Sequence, residues 1–413
     1  MSLKHTLILL TLVSVIADTM LLPFYPQFFS QVFAESSATH VGAYIAACCF
    51  TVMTAFPLWA KVARYVNEVH LWIYTQIAAG CLGLYCAQVD SLVNFWIASQ
   101  LMLVFKASYL LIYPYVLRLE EKDKHLNVAG LFSVLVHFGA IGGALVGGLA
   151  LQFFSAQSVY YVMAGSDALQ VLICLWLVMA LKLPLRNTSS SATLGAEHLI
   201  VHARAPLMSA WVLRVSLVSM VFYFSAFLAR PYFSLYWEMI SGTDQKLISA
   251  LVYSIPAWIA LGCLWFNHNA KGPQNHFQKI VLGSAVALMG LILQGAGHEL
   301  AIVIGRCLFG YGLYQIMVRL EVILFERSDP ANYASDFSKI HFFQNLGVIA
   351  ASFAVGYIVD GLGLVYTFAA SFAGFAIALA LFYTLFKTQS TTEPTDTSIN
   401  ANTNLELSGA THD

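Results

Sequence analysis

The chain has 413 residues, of which 59% are hydrophobic and only 10% are charged. An average soluble domain carries about 25% charged residues, so this composition excludes an ordinary soluble protein and indicates one that crosses a membrane several times. The formal net charge of −1 says little about function, because the placement of Lys and Arg orients a membrane protein more than their sum does. We expect contacts with the lipid bilayer and a small molecule, and none with nucleic acid.

Twelve apolar stretches are long enough to span a bilayer as helices. They lie near residues 6–33, 41–60, 70–88, 92–117, 127–153, 159–181, 208–237, 246–266, 277–296, 300–325, 338–359 and 364–386. We predict an all-α polytopic membrane protein with twelve transmembrane helices in two six-helix pseudo-repeats. Its predicted parts are an N-terminal six-helix bundle (1–183), a cytoplasmic linker (184–206), a C-terminal six-helix bundle (207–386) and a disordered cytoplasmic tail (387–413).

The basic residues of the predicted loops fall on one side of the membrane. If the N-terminus is cytoplasmic, Lys246 is the only loop cation left outside. The positive-inside rule therefore predicts that both termini are cytoplasmic, and we expect a monomeric, multi-pass protein of a bacterial inner (cytoplasmic) membrane. Val15-Ile16-Ala17 could end a cleaved signal peptide, but the apolar stretch continues to Phe33, which favours a retained helix.

Three short motifs recur in the two halves in the same order. Pro23-Phe24-Tyr25 matches Pro231-Tyr232-Phe233, Arg118-Leu119-Glu120 matches Arg319-Leu320-Glu321, and Phe132-Ser133 matches Phe337-Ser338. The offsets of 208, 201 and 205 residues agree once differences in loop length are allowed. These matches indicate a parallel duplication of a six-helix unit, which is the plan of one large class of secondary transporter.

The fifth apolar stretch contains a regular glycine pattern. Its spacing is G-x8-G-x3-G-x3-G, at Gly130, Gly139, Gly143 and Gly147. With twelve predicted helices and a first helix that carries an acid and Pro-x-x-Pro, the chain resembles the major facilitator superfamily, of the drug or metabolite:proton antiporter type, as far as Phe386. Three features depart from the family: Ala144 replaces the usual proline after the third glycine, the loop after the second helix lacks the usual G-x3-D-R-x-G-R-R, and Gln100 lies near the position where an arginine is often found early in the fourth helix.

The resemblance implies that helices one, four, seven and ten line a central cavity. Four of the five deeply placed charges lie on those helices: Asp18, Lys106, Arg230 and Arg306. Because intramembrane ionisable groups usually mark a transport path, we predict that the three cations bind an anionic substrate and that Asp18 exchanges a proton. The fifth charge, Asp167, is expected to be a structural partner. The alternative is a static polar network in which Asp18 pairs with Lys106, and Asp167 with another cation.

Other side chains of these helices are candidates for supporting roles. Tyr25, Tyr113 and Tyr232 are expected to contact the substrate. His137 could relay protons, or it could be a neutral histidine bonded to a neighbouring helix. Pro23 and Pro26 interrupt the backbone hydrogen bonds and allow bending at a gate. The glycines of the fifth helix are expected to form a tight contact between the halves that controls leakage.

No enzyme motif competes with transport in this sequence. A phosphate loop, H-E-x-x-H and G-x-S-x-G are all missing, and the seven cysteines lie in apolar stretches where they behave as small hydrophobes. We predict a protein that is not an enzyme and has no metal or cofactor: a proton-coupled secondary transporter that exports a small anionic metabolite, such as a carboxylate siderophore, by alternating access. The alternatives are a multidrug efflux pump for amphipathic compounds, an organic-anion uptake symporter, and a transporter-like receptor or scramblase.

Overall fold

The computed structural model describes residues 3–119, 125–186, 208–268, 275–327 and 333–387. Its helices are α1 (Leu3–Thr19), α2 (Tyr25–Phe33), α3 (Ala38–Val62), α4 (Glu68–Cys86), α5 (Leu92–Lys106), α6 (Ile112–Arg118), α7 (His125–Phe153), α8 (Ser158–Leu181), α9 (Ala210–Leu228), α10 (Phe233–Ser241), α11 (Lys246–His268), α12 (His276–Gln294), α13 (Glu299–Arg327), α14 (Tyr333–Leu362) and α15 (Tyr366–Phe386). A 3₁₀ turn, Ala107–Leu111, joins α5 to α6. Most of the predicted linker and nearly all of the predicted tail lie outside the described residues.

The helices form twelve spans, numbered here in chain order. Spans 1, 4 and 7 each consist of two helices (α1 with α2, α5 with α6, α9 with α10), and each of the other spans is one helix. Ten of the spans are long and apolar enough by themselves to cross a membrane. The remaining two are span 1, whose helices are individually short, and span 3, which is α4. The predicted fold class, an all-α polytopic protein of twelve helical spans, is confirmed.

Spans 1, 4 and 7 have interrupted backbones. In span 1 the helix stops at residues 20–24, and α2 then begins with Pro26 in its first turn. In span 7 the interruption covers residues 229–232 and includes Pro231. Proline has no N–H to donate to the preceding turn, so an uninterrupted helix is disfavoured at both places. Span 4 is interrupted by the 3₁₀ turn instead. Three of the four spans expected to line a cavity are therefore broken.

The two halves meet along two helix pairs, span 2 with span 11 and span 5 with span 8. We call the face of the bundle at which α1 begins and α15 ends the terminal face, and the other the opposite face. A Cβ atom on Gly42 of span 2 would meet the carbonyl oxygen of Ser352 in span 11, and one on Gly148 of span 5 would lie 2.8 Å from the carbonyl oxygen of Lys246 in span 8. These small residues let the halves approach closely. They lie nearer to the opposite face than to the terminal face.

Candidate functional site

Three charged side chains from spans 1, 4 and 6 form one ion-pair cluster inside the N-terminal half. The Lys106 ammonium lies 2.9 Å from Oδ1 of Asp18 and 2.6 Å from Oδ1 of Asp167. Lys106 and Asp167 are buried, whereas the side chain of Asp18 is 37% exposed. Ser14, one turn earlier on α1, donates a hydrogen bond to Oδ2 of Asp18 at 3.2 Å. The cluster therefore has one carboxylate that is open to solvent and one that is sealed behind the lysine.

Two members of this cluster lie at the C-terminal ends of helices. Asp18 lies next to the last residue of α1, just before the break, and Lys106 is the last residue of α5. Two ionised carboxylates and one ammonium give the cluster a charge of −1, and Oδ2 of the buried Asp167 has no hydrogen-bond partner. An uncompensated charge inside a protein is costly, so a proton on either carboxylate relieves the cluster. The arrangement is suited to taking up and releasing one proton.

These ion pairs change the expected role of Lys106. We expected it to contribute to a positive substrate site, but it forms ion pairs with two acids. This pairing is closer to the alternative prediction of a static polar network. The structure differs from that alternative in one respect, because Asp167 shares Lys106 with Asp18 and does not pair with a separate cation. Lys106 has no free charge for an anion in this conformation. Recognition of an anion would therefore fall to the cations of the C-terminal half.

A small cavity lies beside Asp18, between spans 1, 2, 4 and 6. It is lined by Asp18, Leu21, Tyr25, Tyr44, Met102, Leu103, Tyr160 and Met163. The rings of Tyr25 and Tyr44 contact each other edge to face, with 5.3 Å between their centroids. Tyr25, one of the predicted substrate contacts, therefore lies next to the ion-pair cluster. Apart from Asp18, the cavity wall is made of aromatic and aliphatic side chains.

Arg306 of span 10 is buried inside the C-terminal half, with only 2% of it exposed. Its guanidinium carbon lies 4.0 Å from the ring centroid of Phe233. The side chain donates through Nε to the carbonyl of Val252 at 3.4 Å and through Nη2 to the carbonyl of Tyr253. Its Nη1 atom has no hydrogen-bond partner. Within the described residues no carboxylate forms an ion pair with this arginine.

Arg230 lies in the break of span 7 and has an exposed side chain. It is close enough to Arg306 for the two like charges to repel each other. Arg230 also has no ion-pair partner among the residues that the structure describes. Neighbouring cations without a counter-charge create a local positive potential that attracts anions. We call Arg230 and Arg306 the arginine pair.

Asp360, near the end of span 11, joins the two halves at the opposite face. It accepts hydrogen bonds from the backbone N–H groups of Ala38 at 2.9 Å and Thr39 at 2.7 Å, and from the hydroxyl of Ser37 at 3.2 Å. The hydroxyl of Tyr232 donates to the carbonyl of Ala38 at 2.7 Å. These bonds, which we call the latch, place a carboxylate at the positive N-terminal end of α3. Tyr232, expected at the substrate, thus lies in the latch in this conformation.

The glycine pattern of span 5 corrects one expectation. Three of its glycines pack against span 1 of the same half: Gly139, Gly143 and Gly147. A Cβ atom on Gly147, for example, would meet the backbone of Met20. The predicted contact between the halves is instead made by the next residue, Gly148, because α7 turns a different side toward span 8. The surroundings of Gly130 lie outside the described residues.

The remaining predicted residues are placed as follows. The ring of Tyr113 lies 4.9 Å from that of Phe132 in span 5. His137 is half-buried on α7. Pro23 lies in the break of span 1 and Pro26 in the first turn of α2. The roles of these residues in substrate binding, proton relay and gating stay predictions.

Comparison with solved structures identifies the fold of the chain. No protein-family model matches the chain, and no curated protein matches it. Among solved structures it is similar to the nucleoside transporter NupG, with 15% identity and a TM-score of 0.66 over 94% of this chain and 99% of that one. It is also similar to the human organic anion transporter MFSD10, with 12% identity and a TM-score of 0.66 over 92% of this chain and 98% of that one. An auto-inhibited peptide transporter of the POT family has 11% identity and a TM-score of 0.72, over 97% and 99% of the two chains. The chain therefore has the major facilitator fold.

Sequence reasoning missed the latch acid and part of the cavity wall. Asp360 ends an apolar stretch, where a charged residue is ordinary, and Ala38, whose amide it binds, is 322 residues away in the chain. Tyr44 and Tyr160 lie in helices that the resemblance did not assign to the cavity. Only the tertiary arrangement identifies these three residues.

Proposed function

We propose that the protein is a proton-coupled secondary transporter for a small organic anion, working by alternating access. The observation that carries this proposal is the arginine pair, which has no acidic partner among the described residues. Guanidinium groups bind carboxylates through two parallel N–H donors, so a carboxylate-bearing substrate suits this pair. The structural neighbours are described as transporters of nucleosides, organic anions and peptides, which supports transport but does not select a substrate.

In this proposal the N-terminal half supplies the proton site. A proton on Asp18 leaves Lys106 paired with Asp167 alone and neutralises the cluster. The anion neutralises the arginine pair in the other half. The terminal face is cytoplasmic in the predicted orientation, so the latch closes the outer side of a bacterial inner membrane. Export of a carboxylate siderophore is the direction and cargo that we propose from the sequence.

Transport in proteoliposomes with an imposed pH gradient tests the proposal. We expect citrate, as a simple polycarboxylate, to move only when the gradient is present, and cationic dyes not to move. Replacing Asp18 by Asn should abolish gradient-driven citrate flux and leave the protein inserted. Asp90→Asn is the matched control, because Asp90 is an exposed acid of the loop after span 3. A preference for dyes, or full gradient-driven flux in Asp18→Asn, would contradict the proposal.

Uptake by symport is a second candidate, and one observation favours it. The acidic cluster lies in the N-terminal half and the arginine pair in the C-terminal half, so proton and anion do not compete for one side chain. Export by exchange is distinguished from uptake by reversing the pH gradient in the same vesicles. Citrate that moves with the protons indicates symport, and citrate that moves against them indicates exchange.

A further inference from the structure

The two acids of the ion-pair cluster have different surroundings. Asp18 accepts hydrogen bonds from Lys106 and Ser14, and its side chain is 37% exposed. Asp167 is fully buried and, among the described residues, accepts one hydrogen bond, from Lys106 to Oδ1. Its Oδ2 atom has no hydrogen-bond partner. Donors and solvent favour an ionised carboxylate, whereas burial favours a protonated one. When the cluster takes up one proton, Asp167 is therefore the more favourable place for it.

A second buried oxygen without a donor lies one turn away from Asp167. Gln170 is fully buried and three residues further along α8, a spacing at which Gln and Asp side chains bond to each other on a helix. Its Nε2 atom donates to Oγ of Ser166 at 3.2 Å, and Ser166 donates to the carbonyl of Val13 at 3.5 Å, which fixes the orientation of the amide. Oε1 of Gln170 is then left without a partner. A proton on Oδ2 of Asp167 would give both oxygen atoms the hydrogen bond that each lacks.

The charges around Asp167 also favour its neutral form. Among the described residues, the charged groups that face it are Lys106 of span 4, at 2.6 Å, and Asp18 of span 1. On its other side span 3 presents Gly80, where a Cβ atom would lie 3.5 Å from Cβ of Asp167. One cation between two carboxylates compensates only one of them, so a proton stabilises the second. With that proton on Asp167, Lys106 pairs with Asp18, and the cluster has no net charge.

We propose that the coupling proton enters and leaves through Asp18 and is held on Asp167. This inference rests on the proposed function, in which Asp18 takes up the proton, and adds where the proton then lies. Lys106 contacts both acids, so it gives one of its protons to Asp167 and receives the proton of Asp18. The number of protons and the charge of the cluster stay the same in this step. Rotation of the carboxyl group of Asp167 then turns its O–H toward Gln170, where the proton is shielded from solvent.

Infrared spectra of the protein in lipid vesicles, recorded at alkaline and at acidic pH, show which acid takes the proton. A protonated carboxyl group absorbs at a C=O frequency where carboxylates do not, and the frequencies of Asp and Glu differ. Asp167→Glu and Asp18→Glu both keep the charge of the cluster, so they form a matched pair. We expect the band that appears on acidification to shift in Asp167→Glu and to stay in place in Asp18→Glu. A shift in Asp18→Glu, or none in Asp167→Glu, overturns the inference.

Transport by the variants at position 167 provides a second measurement. Asp167→Asn cannot take a proton, so it should lose the citrate accumulation that a pH gradient drives in proteoliposomes, and Asp167→Glu should retain part of it. Accumulation at the wild-type level in Asp167→Asn would contradict the inference. If neither variant folds, the band of Asp18→Glu decides alone, since it lies at the Glu frequency only if residue 18 keeps the proton. Absence of citrate transport by the wild type counts instead against the proposed function, because the infrared bands do not depend on citrate.

Discussion

Replacement of Asp360 by Asn is expected to open the opposite face more often. The carboxylate uses both oxygens, Oδ1 for the N–H of Ala38 at 2.9 Å and Oδ2 for the N–H of Thr39 at 2.7 Å. These amides belong to the first turn of α3 and have no partner inside the helix. An asparagine keeps one acceptor oxygen and no negative charge, so one amide loses its partner and the attraction to the helix dipole ends.

The size of this effect follows from the bonds that are lost. A charge at a helix N-terminus contributes about 0.3–1 kcal/mol, and a capping group about 0.5–2 kcal/mol. Because Asp360 is an exposed residue, we take a loss of about 1 kcal/mol, which is roughly a fivefold shift in the equilibrium between closed and open forms. The hydrogen bond from Tyr232 to Ala38, 2.7 Å in the structure, does not involve Asp360, so the latch weakens without being abolished.

Distances between the halves provide the measurement. Ser36 and His298 are exposed at the opposite face, one in each half, and spin labels there report its opening by pulsed electron paramagnetic resonance, with the seven native cysteines replaced. The longer-distance fraction should rise roughly fivefold in Asp360→Asn and stay at the wild-type level in Asp90→Asn. Identical distance distributions in both variants would refute the latch.

Two further predictions concern packing and charge inside the N-terminal half. Gly147→Ala forces a methyl group against the backbone of Met20 and should lower stability by about 1–3 kcal/mol, whereas Gly262→Ala, where an added Cβ meets nothing within 4 Å, should leave the unfolding temperature in detergent unchanged. Equal effects of the two changes would contradict the tight contact of spans 1 and 5. Lys106→Met leaves two carboxylates unpaired and should cost about 3–5 kcal/mol, and adding Asp167→Asn should restore much of that stability in thermal unfolding. No recovery in the double variant would show that the buried acid is not the source of the loss.

Hydropathy alone predicts the number of spans well, since each spanning helix needs about 20 apolar residues and those stretches can be counted in the sequence. Span 1 shows the limit of such counting. The sequence predicts one apolar stretch over residues 6–33, but the structure has two short helices because residues 20–24 leave helical geometry. Pro23 and Pro26 mark the place of the break. They do not indicate which contacts fix the positions of α1 and α2.

The sequence predicts the pair of Asp18 with Lys106 only as an alternative, and the sharing of Lys106 with Asp167 depends on tertiary packing. Lys106 is 88 residues from Asp18 and 61 from Asp167, and their contact depends on how spans 4 and 6 are rotated against span 1. The contacts of Arg306 with the carbonyls of Val252 and Tyr253 are similar, because only the packing of span 10 on span 8 brings these groups together. Sequence thus identified the charged residues, and the structure shows which groups they contact.

The ion-pair cluster and the arginine pair carry opposite unbalanced charge, and this restricts which steps can be coupled. With all groups ionised, the cluster of Asp18, Lys106 and Asp167 carries −1, and the arginine pair is positive with no acidic partner in the described part of the chain. Closing a membrane protein around uncompensated charge is unfavourable. In the proposed function, movement of the halves is therefore favoured once a proton has neutralised the first site and an anion the second.

This neutralisation rule predicts how acidity and substrate act together. If both ligands must be bound before the halves move, acidifying the side that contains citrate should raise the initial rate of citrate entry from that side, and Asp18→Asn should remove the acceleration. Exchange would break this rule, because the proton and the anion then cross in separate steps. Acidifying the same side should in that case slow entry, because a proton bound on that side moves the carrier across without citrate. A rate of citrate entry that is independent of pH on both sides would contradict charge neutralisation as the coupling mechanism, whichever direction the substrate travels.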